Sequence, residues 1–260
     1  MATYFISDLH LSQNRPEASA LFLKFLTTEA KNAEALYILG DLFESWIGDD
    51  NFNAHDEKVL EGLSDFTKSG IPLYFMHGNR DFLIGQQFVE KTHCTLLADP
   101  TVIQLYQDRV LLTHGDLLCT FDKNYQRFRK FVRHPLVQKC FLKLPLHWRR
   151  SIATQLREKS NEHFKHENAK AAEQSVSLPS LSSEDKKAKN TLWDVVLNTV
   201  YKFLREHQAY ILIHGHTHKP EIQHFILDDH KALRIVLGEW KDKGCILAYS
   251  PGSTEFKIFS

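Results

Sequence analysis

Ile211-Leu212-Ile213-His214-Gly215-His216-Thr217-His218 is the stretch on which the fold turns. An apolar run of strand length delivers a glycine and then two histidines spaced i, i+2. Side chains alternate along a strand, so such a pair leaves on the same side. If the run ends a buried strand, Gly215 lets the backbone turn sharply while His216 and His218 converge on one spot. A single histidine on an apolar strand is most often a satisfied core residue. A pair beyond a strand end points to metal when other strand ends carry the same chemistry.

Working outward, they do. Thr3 to Ser7 reads as a short buried strand that delivers Asp8-Leu9-His10. Ala35 to Leu39 ends in Gly40-Asp41-Leu42-Phe43-Glu44, followed by the acidic loop Trp46-Ile47-Gly48-Asp49-Asp50. Ile71 to Met76 ends in His77-Gly78-Asn79-Arg80-Asp81. Thr101 to Tyr106 and Arg109 to Leu112 form a hairpin pattern whose second arm ends in Thr113-His114-Gly115-Asp116. Pro16 to Ala30 and His55 to Lys68 carry helical periodicity, the latter stopped by Gly70 and Pro72. Strands alternating with helices indicate an α/β fold, in which ligands gather outside the strand ends. Ile222–Leu227, Leu233–Leu237, Cys245–Tyr249 and Phe256–Phe259 alternate as strands and are expected to form a second sheet.

From Asp122 to about His207 the strand pattern disappears. Tyr125, Phe128 and Val132 lie at helical spacing, as do Leu136, Cys140, Phe141 and Leu144, with breaks at His134-Pro135 and Pro145. Ser175 to Asn190 reads as a loop, and Thr191 caps a last helix with Leu192, Val195, Val196, Thr199 and Phe203 facing inward. The expected organisation is a core of 1–121 and 208–260 interrupted by a helical insertion, 122–207.

The 260 residues carry 32 Lys and Arg against 32 Asp and Glu, with 43% hydrophobic residues, an ordinary globular composition. The neutral total hides an asymmetry: between Asp122 and Ser160 there are eleven basic residues and two acids. A local basic segment in a neutral protein suggests an anionic partner, set against the plainer reading of a solvated helix face. No apolar run approaches the length of a membrane helix, and the chain enters a strand pattern at once, so a cytoplasmic protein without a signal peptide is expected. Cys94, Cys119, Cys140 and Cys245 show no CxxC spacing and read as reduced, mostly buried thiols.

Asp8, His10, Asp41, Asn79, His114, His216 and His218 are the chemistry-bearing residues at the strand ends. A carboxylate bridges two cations, an imidazole binds through a neutral nitrogen, and an Asn carbonyl adds a neutral oxygen. Two such ions form the usual clamp for phosphate ester hydrolysis. Ligation by nitrogen and oxygen without thiolate suits Mn2+ or Fe2+, with Zn2+ also compatible. One DxH is weak, whereas DxH, GD, GN, HGD and GHxH in order at strand ends is specific.

In that order, Asp8-Leu9-His10, Gly40-Asp41, Gly78-Asn79, His114 and Gly215-His216-Thr217-His218 resemble the calcineurin-like metallophosphoesterase signature. The resemblance implies a four-layer αββα sandwich with a dinuclear metal site on one edge. It implies a first divalent ion on Asp8, His10, Asp41 and His218, and a second on Asp41, Asn79, His114 and His216, Mn2+ being the expected metal. Most of that family has GNH followed by an acid, where this chain has Gly78-Asn79-Arg80-Asp81. With Gly40–Asp50, Leu112–Thr120 and Leu237-Gly238-Glu239-Trp240, the chain is similar to the branch that serves lipid A synthesis. The resemblance spans nearly the whole chain and is weakest from about Asn161 to Asn190.

Replacing His by Arg removes a proton donor and adds a fixed bidentate cation, which suits a phosphate leaving group of low pKa. The resemblance implies cleavage of the pyrophosphate bond of a nucleotide-activated, diacylated sugar. Asp41, Asn79, Arg80 and His114 would be catalytic. Asn79, Arg80, Asp122, Tyr125, Ser160 and His216 would hold the sugar phosphate, with one further lysine from Lys165, Lys170 or Lys189. Phe128, Phe141 and Trp148 of the insertion are core residues by default that would also wall in acyl chains. Its basic face would meet an anionic bilayer, making a monomer peripheral on the cytoplasmic face of the inner membrane, with no nucleic acid partner.

Glu44 and Asp116 read as supporting or capping carboxylates, His214 as buried, and Asp49 and Asp50 as a turn. Two rival functions stand beside this one. A different calcineurin-like nucleotide pyrophosphatase, phosphodiesterase or nuclease would stack bases on the insertion's aromatics. A scaffold that has lost its metals conflicts with every ligand position being filled.

Overall fold

The computed structural model of the chain describes residues 2–158 and 195–260. It divides into two units, 1–117 with 201–260, and 118–200. The first unit holds two sheets. Strands β1 (Ala2–Ile6), β2 (Ala33–Leu39), β3 (Leu73–Met76) and β4 (Thr95–Leu97) run parallel in one. The other contains β5 (Thr101–Leu105), β6 (Asp108–Thr113), β7 (Ile211–His214), β8 (Glu221–Leu227) and β9 (His230–Val236), with β6, β7 and β9 parallel.

The last four strands do not make a sheet of their own, contrary to the sequence expectation. β8 and β9 extend the β5–β7 sheet, in the order β5-β6-β7-β9-β8. β10 (Gly244–Ser250) and β11 (Ser253–Phe259) cross to the first sheet, giving β11-β10-β1-β2-β3-β4, with Phe5 opposite Leu247. β10 is buried on both faces through Tyr249, which suits a strand with neighbours on each side and layers above and below. β8 alternates and forms an edge.

Between the sheets lies one apolar core. Phe5, Tyr37, Leu39, Met76, Leu247 and Tyr249 of the first sheet face Leu105, Val110, Leu112, Ile213, Ile235 and Leu237 of the second. Alternate residues face outward onto helices: Tyr4 packs on Phe25 of α1 (Pro16–Thr27), and Phe75 on Phe88 of α3 (Gln86–Thr92). α2 (Ala54–Lys68) is the third helix of that layer. On the other side, Leu204 of the helix Leu197–Glu206 is buried and Tyr201 lies against Phe225 of β8. The result is the four-layer αββα sandwich. α3 and β4 carried no readable signal, because seven and three residues are too few to show a period.

Among the described residues of the second unit, α4 (Lys123–Val132), α5 (Pro135–Leu142) and residues 146–158 are helical. Asp122 caps α4 by accepting the Tyr125 N–H at 2.8 Å, and Pro135 opens α5. Neither α4 nor α5 has a fully buried residue, and Phe128, Phe131, Leu136 and Trp148 are exposed. The last helix starts at Leu197, so Val200 and Leu204 are its buried residues; Thr199 and Phe203, expected inward, are half-buried. Thr191, Leu192 and the loop expected over 175–190 lie outside the described residues. No described helix is long and apolar enough to cross a membrane. Cys94, Cys119 and Cys245 are buried thiols and Cys140 is an exposed one.

α2 starts on a capping box: Asn53 accepts the N–H groups of His55 and Asp56, and Asp56 accepts the N–H of Asn53. Asn53→Ala is expected to cost about 1 kcal/mol of stability in urea denaturation, with cation binding unchanged.

Candidate metal centre

The ends of β1, β2, β3, β6 and β7 come together, and backbone hydrogen bonds lace the loops that follow. Asp8 donates its N–H to Gly40 O (3.1 Å), His10 to Asp41 O (3.0 Å), Gly215 to His114 O (2.8 Å) and Trp240 to Asp8 O (3.1 Å). Asp8, His10, Asp41, His216 and His218 all adopt left-handed backbone, with φ between 50° and 71°. That region is unfavourable for residues other than glycine, by roughly 1–2 kcal/mol each. Its concentration at five of the seven candidate ligands marks strain held in place by the surrounding structure.

Gly215 is not in that region, so it is not the turn the sequence suggested. Its need is for close approach: a Cβ there would meet Ser7 Oγ and lie 2.5 Å from Asp8 Oδ2. The same holds for Gly78, where a Cβ would overlap Asp41 Oδ1. His216 and His218 also do not converge on one spot. The strand stops at His214, so alternation no longer governs them. His216 Nδ1 lies 3.0 Å from Asn79 Oδ1 and its ring sits 5.1 Å from that of His114. His218 turns to the other half, with Nε2 3.3 Å from Asp8 Oδ1 and 3.4 Å from His10 Nε2.

Asp41 Oδ2 lies between the halves, 4.0 Å from His10 Nε2 and 3.7 Å from His114 Nε2. Asn79 Oδ1 is 2.9 Å from His114 Nε2. Two groups of potential donor atoms result, Asp8-His10-His218 and Asp8-Asp41-His114, each within 4.8 Å. Arg80 donates its N–H to Asp41 Oδ1 at 2.8 Å, while its guanidinium pairs with Glu44 at 3.1 Å.

Burial opposes charge on Asp8, but the His218 imidazole 3.3 Å from its Oδ1 and the nearby His114 hold its carboxyl below the usual carboxylate range. Burial likewise opposes charge on His114, and the Asp41 and Asp8 carboxylates outweigh it, raising its pKa to about 9. His216, buried beside His114, is pushed down to about 4.

These residues fit a pair of divalent cations. Asp8 Oδ1 is fully buried yet accepts no hydrogen bond, and the Nε2 atoms of His10 and His218 face each other. A cation held among them would satisfy all three, and the donors are nitrogen and oxygen throughout.

His214 is not a ligand: its Nδ1 pairs with Gly215 O and its Nε2 with buried Arg234, and burial beside that charge lowers its pKa to about 3. Asp49 accepts from Trp46 Nε1, Gly85 N and Phe88 N, tying its loop to the start of α3. Asp116 is buried and contributes to the field that raises His114. Asp122 and Tyr125 belong to the second unit, and Ser160, Lys165, Lys170 and Lys189 lie outside the described residues.

Sequence reasoning assigned no role to Asp81 or Glu239. Buried Asp81 accepts the N–H groups of Leu42 (2.7 Å) and Gly78 (2.8 Å), joining the Asp41 and Asn79 loops; burial and nearby Asp41 raise its pKa to about 7. Its position just after Gly78-Asn79-Arg80 was the available signal. Glu239 sits 3.3 Å from His218 Nδ1, and its signal was the quoted Leu237-Gly238-Glu239-Trp240.

Two outcomes are expected. Gly78→Ala should abolish tight cation binding, measured by metal analysis after dialysis, because the added methyl displaces Asp41. Cation uptake at pH 7.5 should release protons: His114 is charged below about pH 9, and a ligating imidazole must be neutral. Affinity should therefore strengthen as pH rises toward 9. Calorimetric titration in buffers of different ionisation heat checks this; identical heats would contradict it.

Residues 1–220 match the family model described as calcineurin-like phosphoesterase. The chain is 44% identical over 252 residues to a protein of Aeromonas hydrophila named UDP-2,3-diacylglucosamine hydrolase, covering 97% of this chain and 96% of that one. It is 43% identical to the protein of the same name from Shigella dysenteriae, covering 100% and 99%. Among solved structures, a novel archaeal phosphodiesterase gives a TM-score of 0.45 at 14% identity, covering 100% of this chain and 99% of that one. The chain belongs to the calcineurin-like phosphoesterase family.

Proposed function

We propose that this chain hydrolyses the pyrophosphate bond of UDP-2,3-diacylglucosamine, giving UMP and 2,3-diacylglucosamine 1-phosphate in lipid A synthesis. The observation that carries the reading is the convergence of Asp8, His10, Asp41, Asn79, His114, His216 and His218 beside Arg80, in a chain 44% identical to a UDP-2,3-diacylglucosamine hydrolase over nearly its whole length.

The seven residues would hold two divalent cations, with Mn2+ the proposed metal. When bound, such ions lower the pKa of water and neutralise charge on a phosphoryl group. The protein's own contribution is arrangement. Asp41 stands between the two halves, oriented by the N–H of Arg80. Asn79 offers its carbonyl to both His114 and His216. Arg80 is anchored through its backbone at the metal residues, so its guanidinium has short reach to a phosphate beside them. A permanent cation there stabilises charge on a departing phosphate without donating a proton.

Residues 122–207 form the proposed insertion that receives the acyl chains. Its exposed Phe128, Phe131, Leu136 and Trp148 alternate with Lys and Arg on short helices, a pattern suited to lipid. Each basic residue near an anionic bilayer contributes about 1 kcal/mol, which supports peripheral attachment at the inner membrane's cytoplasmic face. Asp122, Tyr125, Ser160 and one of Lys165, Lys170 or Lys189 are proposed contacts to the glucosamine phosphate. The active species is proposed to be a monomer that does not bind nucleic acid.

A turnover assay with the diacylated nucleotide sugar, with and without Mn2+, tests the proposal. Rapid metal-dependent release of UMP is expected, with no turnover of UDP-glucose. Cleavage of oligonucleotides instead would overturn it. His10→Ala, Asn79→Ala and His114→Ala should each remove most activity while the fold persists. Arg80→Ala should lower kcat about 100-fold with metal content retained; parallel metal loss would show that Arg80 serves the cations instead.

A further inference from the structure

The outer nitrogens of the candidate ligands are not backed alike. His10 Nδ1 lies 3.3 Å from Glu44 Oε2, and His218 Nδ1 lies 3.3 Å from Glu239 Oε2, both at ion-pair distance without an aligned hydrogen bond. Both imidazoles therefore turn Nε2 toward Asp8 and each other, and present the opposite nitrogen to a carboxylate. His114, by contrast, sets its Nδ1 2.9 Å from a backbone carbonyl, Leu39 O. Each glutamate is also held from its far oxygen by a cation: Glu44 Oε1 by Arg80 at 3.1 Å, Glu239 Oε1 by Lys241 at 2.6 Å. The arrangement repeats across the site although Glu44 follows β2 and Glu239 follows β9. Neither glutamate has an oxygen among the clustered donor atoms.

We infer that Glu44 and Glu239 are positioning residues for one of the two cations only, the one held by Asp8, His10 and His218. A carboxylate behind an imidazole fixes the ring's orientation and tautomer and raises the basicity of the nitrogen that faces the metal. A backbone carbonyl fixes the orientation without the added charge. The half built on His10 and His218 is thus the tighter of the two, and its affinity is set from outside by two half-exposed glutamates. Arg80 and Lys241 keep those glutamates from closing onto the cations themselves. This rests on the two-cation reading given above.

The test is titration of Mn2+ into metal-stripped protein, following free Mn2+ by electron paramagnetic resonance. Wild type is expected to take up two ions in two steps; uptake of fewer than two ions sinks the two-cation reading itself. With two ions in wild type, Glu239→Gln is expected to weaken one step ~10–100-fold and leave the other within a factor of three. Glu44→Gln should weaken the same step, and the double variant should not create a defect in the second. Glu239→Asp, which keeps the charge, should recover part of the loss. Both side chains are partly exposed, so the metal-free melting temperature should stay at the wild-type value. Variants that leave both steps unchanged, or weaken both equally, overturn the inference.

Discussion

Two carboxylates, Asp8 and Asp41, are buried close together, and the site depends on the positive charge that faces them. An isolated buried carboxylate carries a large desolvation cost, and two near each other repel. Here His10, His114 and His218 surround them, which is why Asp8 stays ionised in spite of its burial and His114 holds its proton above neutral pH. The pocket is thus matched to positive charge.

That arrangement needs backbone that the residues themselves disfavour. Five candidate ligand positions take left-handed conformations, and Gly78 and Gly215 allow contacts a side chain would block. The strain is tolerable because the loops are tied at both ends to strands packed in a rigid sandwich. Hydrogen bonds between loops, and Asp81 between Leu42 and Gly78, leave them few alternatives. Arg80 inherits the same rigidity, since its backbone N–H is part of the Asp41 arrangement.

The second unit follows a different logic. Its short helices expose aromatic and leucine side chains beside a run of basic residues, with no fully buried residue on α4 or α5. Large exposed apolar side chains of this density call for an apolar partner. The proposed function supplies such a partner in the acyl chains of its substrate.

The ordered strand ends, the αββα class and the set of side chains that gather at the strand ends were legible in the sequence. Strand-length apolar runs and the residues that terminate them are local properties, and local chemistry writes them directly. Tertiary structure alone decided which sheet β10 and β11 join, because pairing is a choice among free edges that the strand's own residues do not make. It also decided that His216 and His218 part company, since alternation holds only while the backbone stays extended. The glutamates behind His10 and His218 stand in the segments Gly40–Glu44 and Leu237–Trp240, yet nothing in their spacing linked them. Residues 195 positions apart, Glu44 and Glu239, become equivalent only when folding brings two distant loops to one pair of imidazoles.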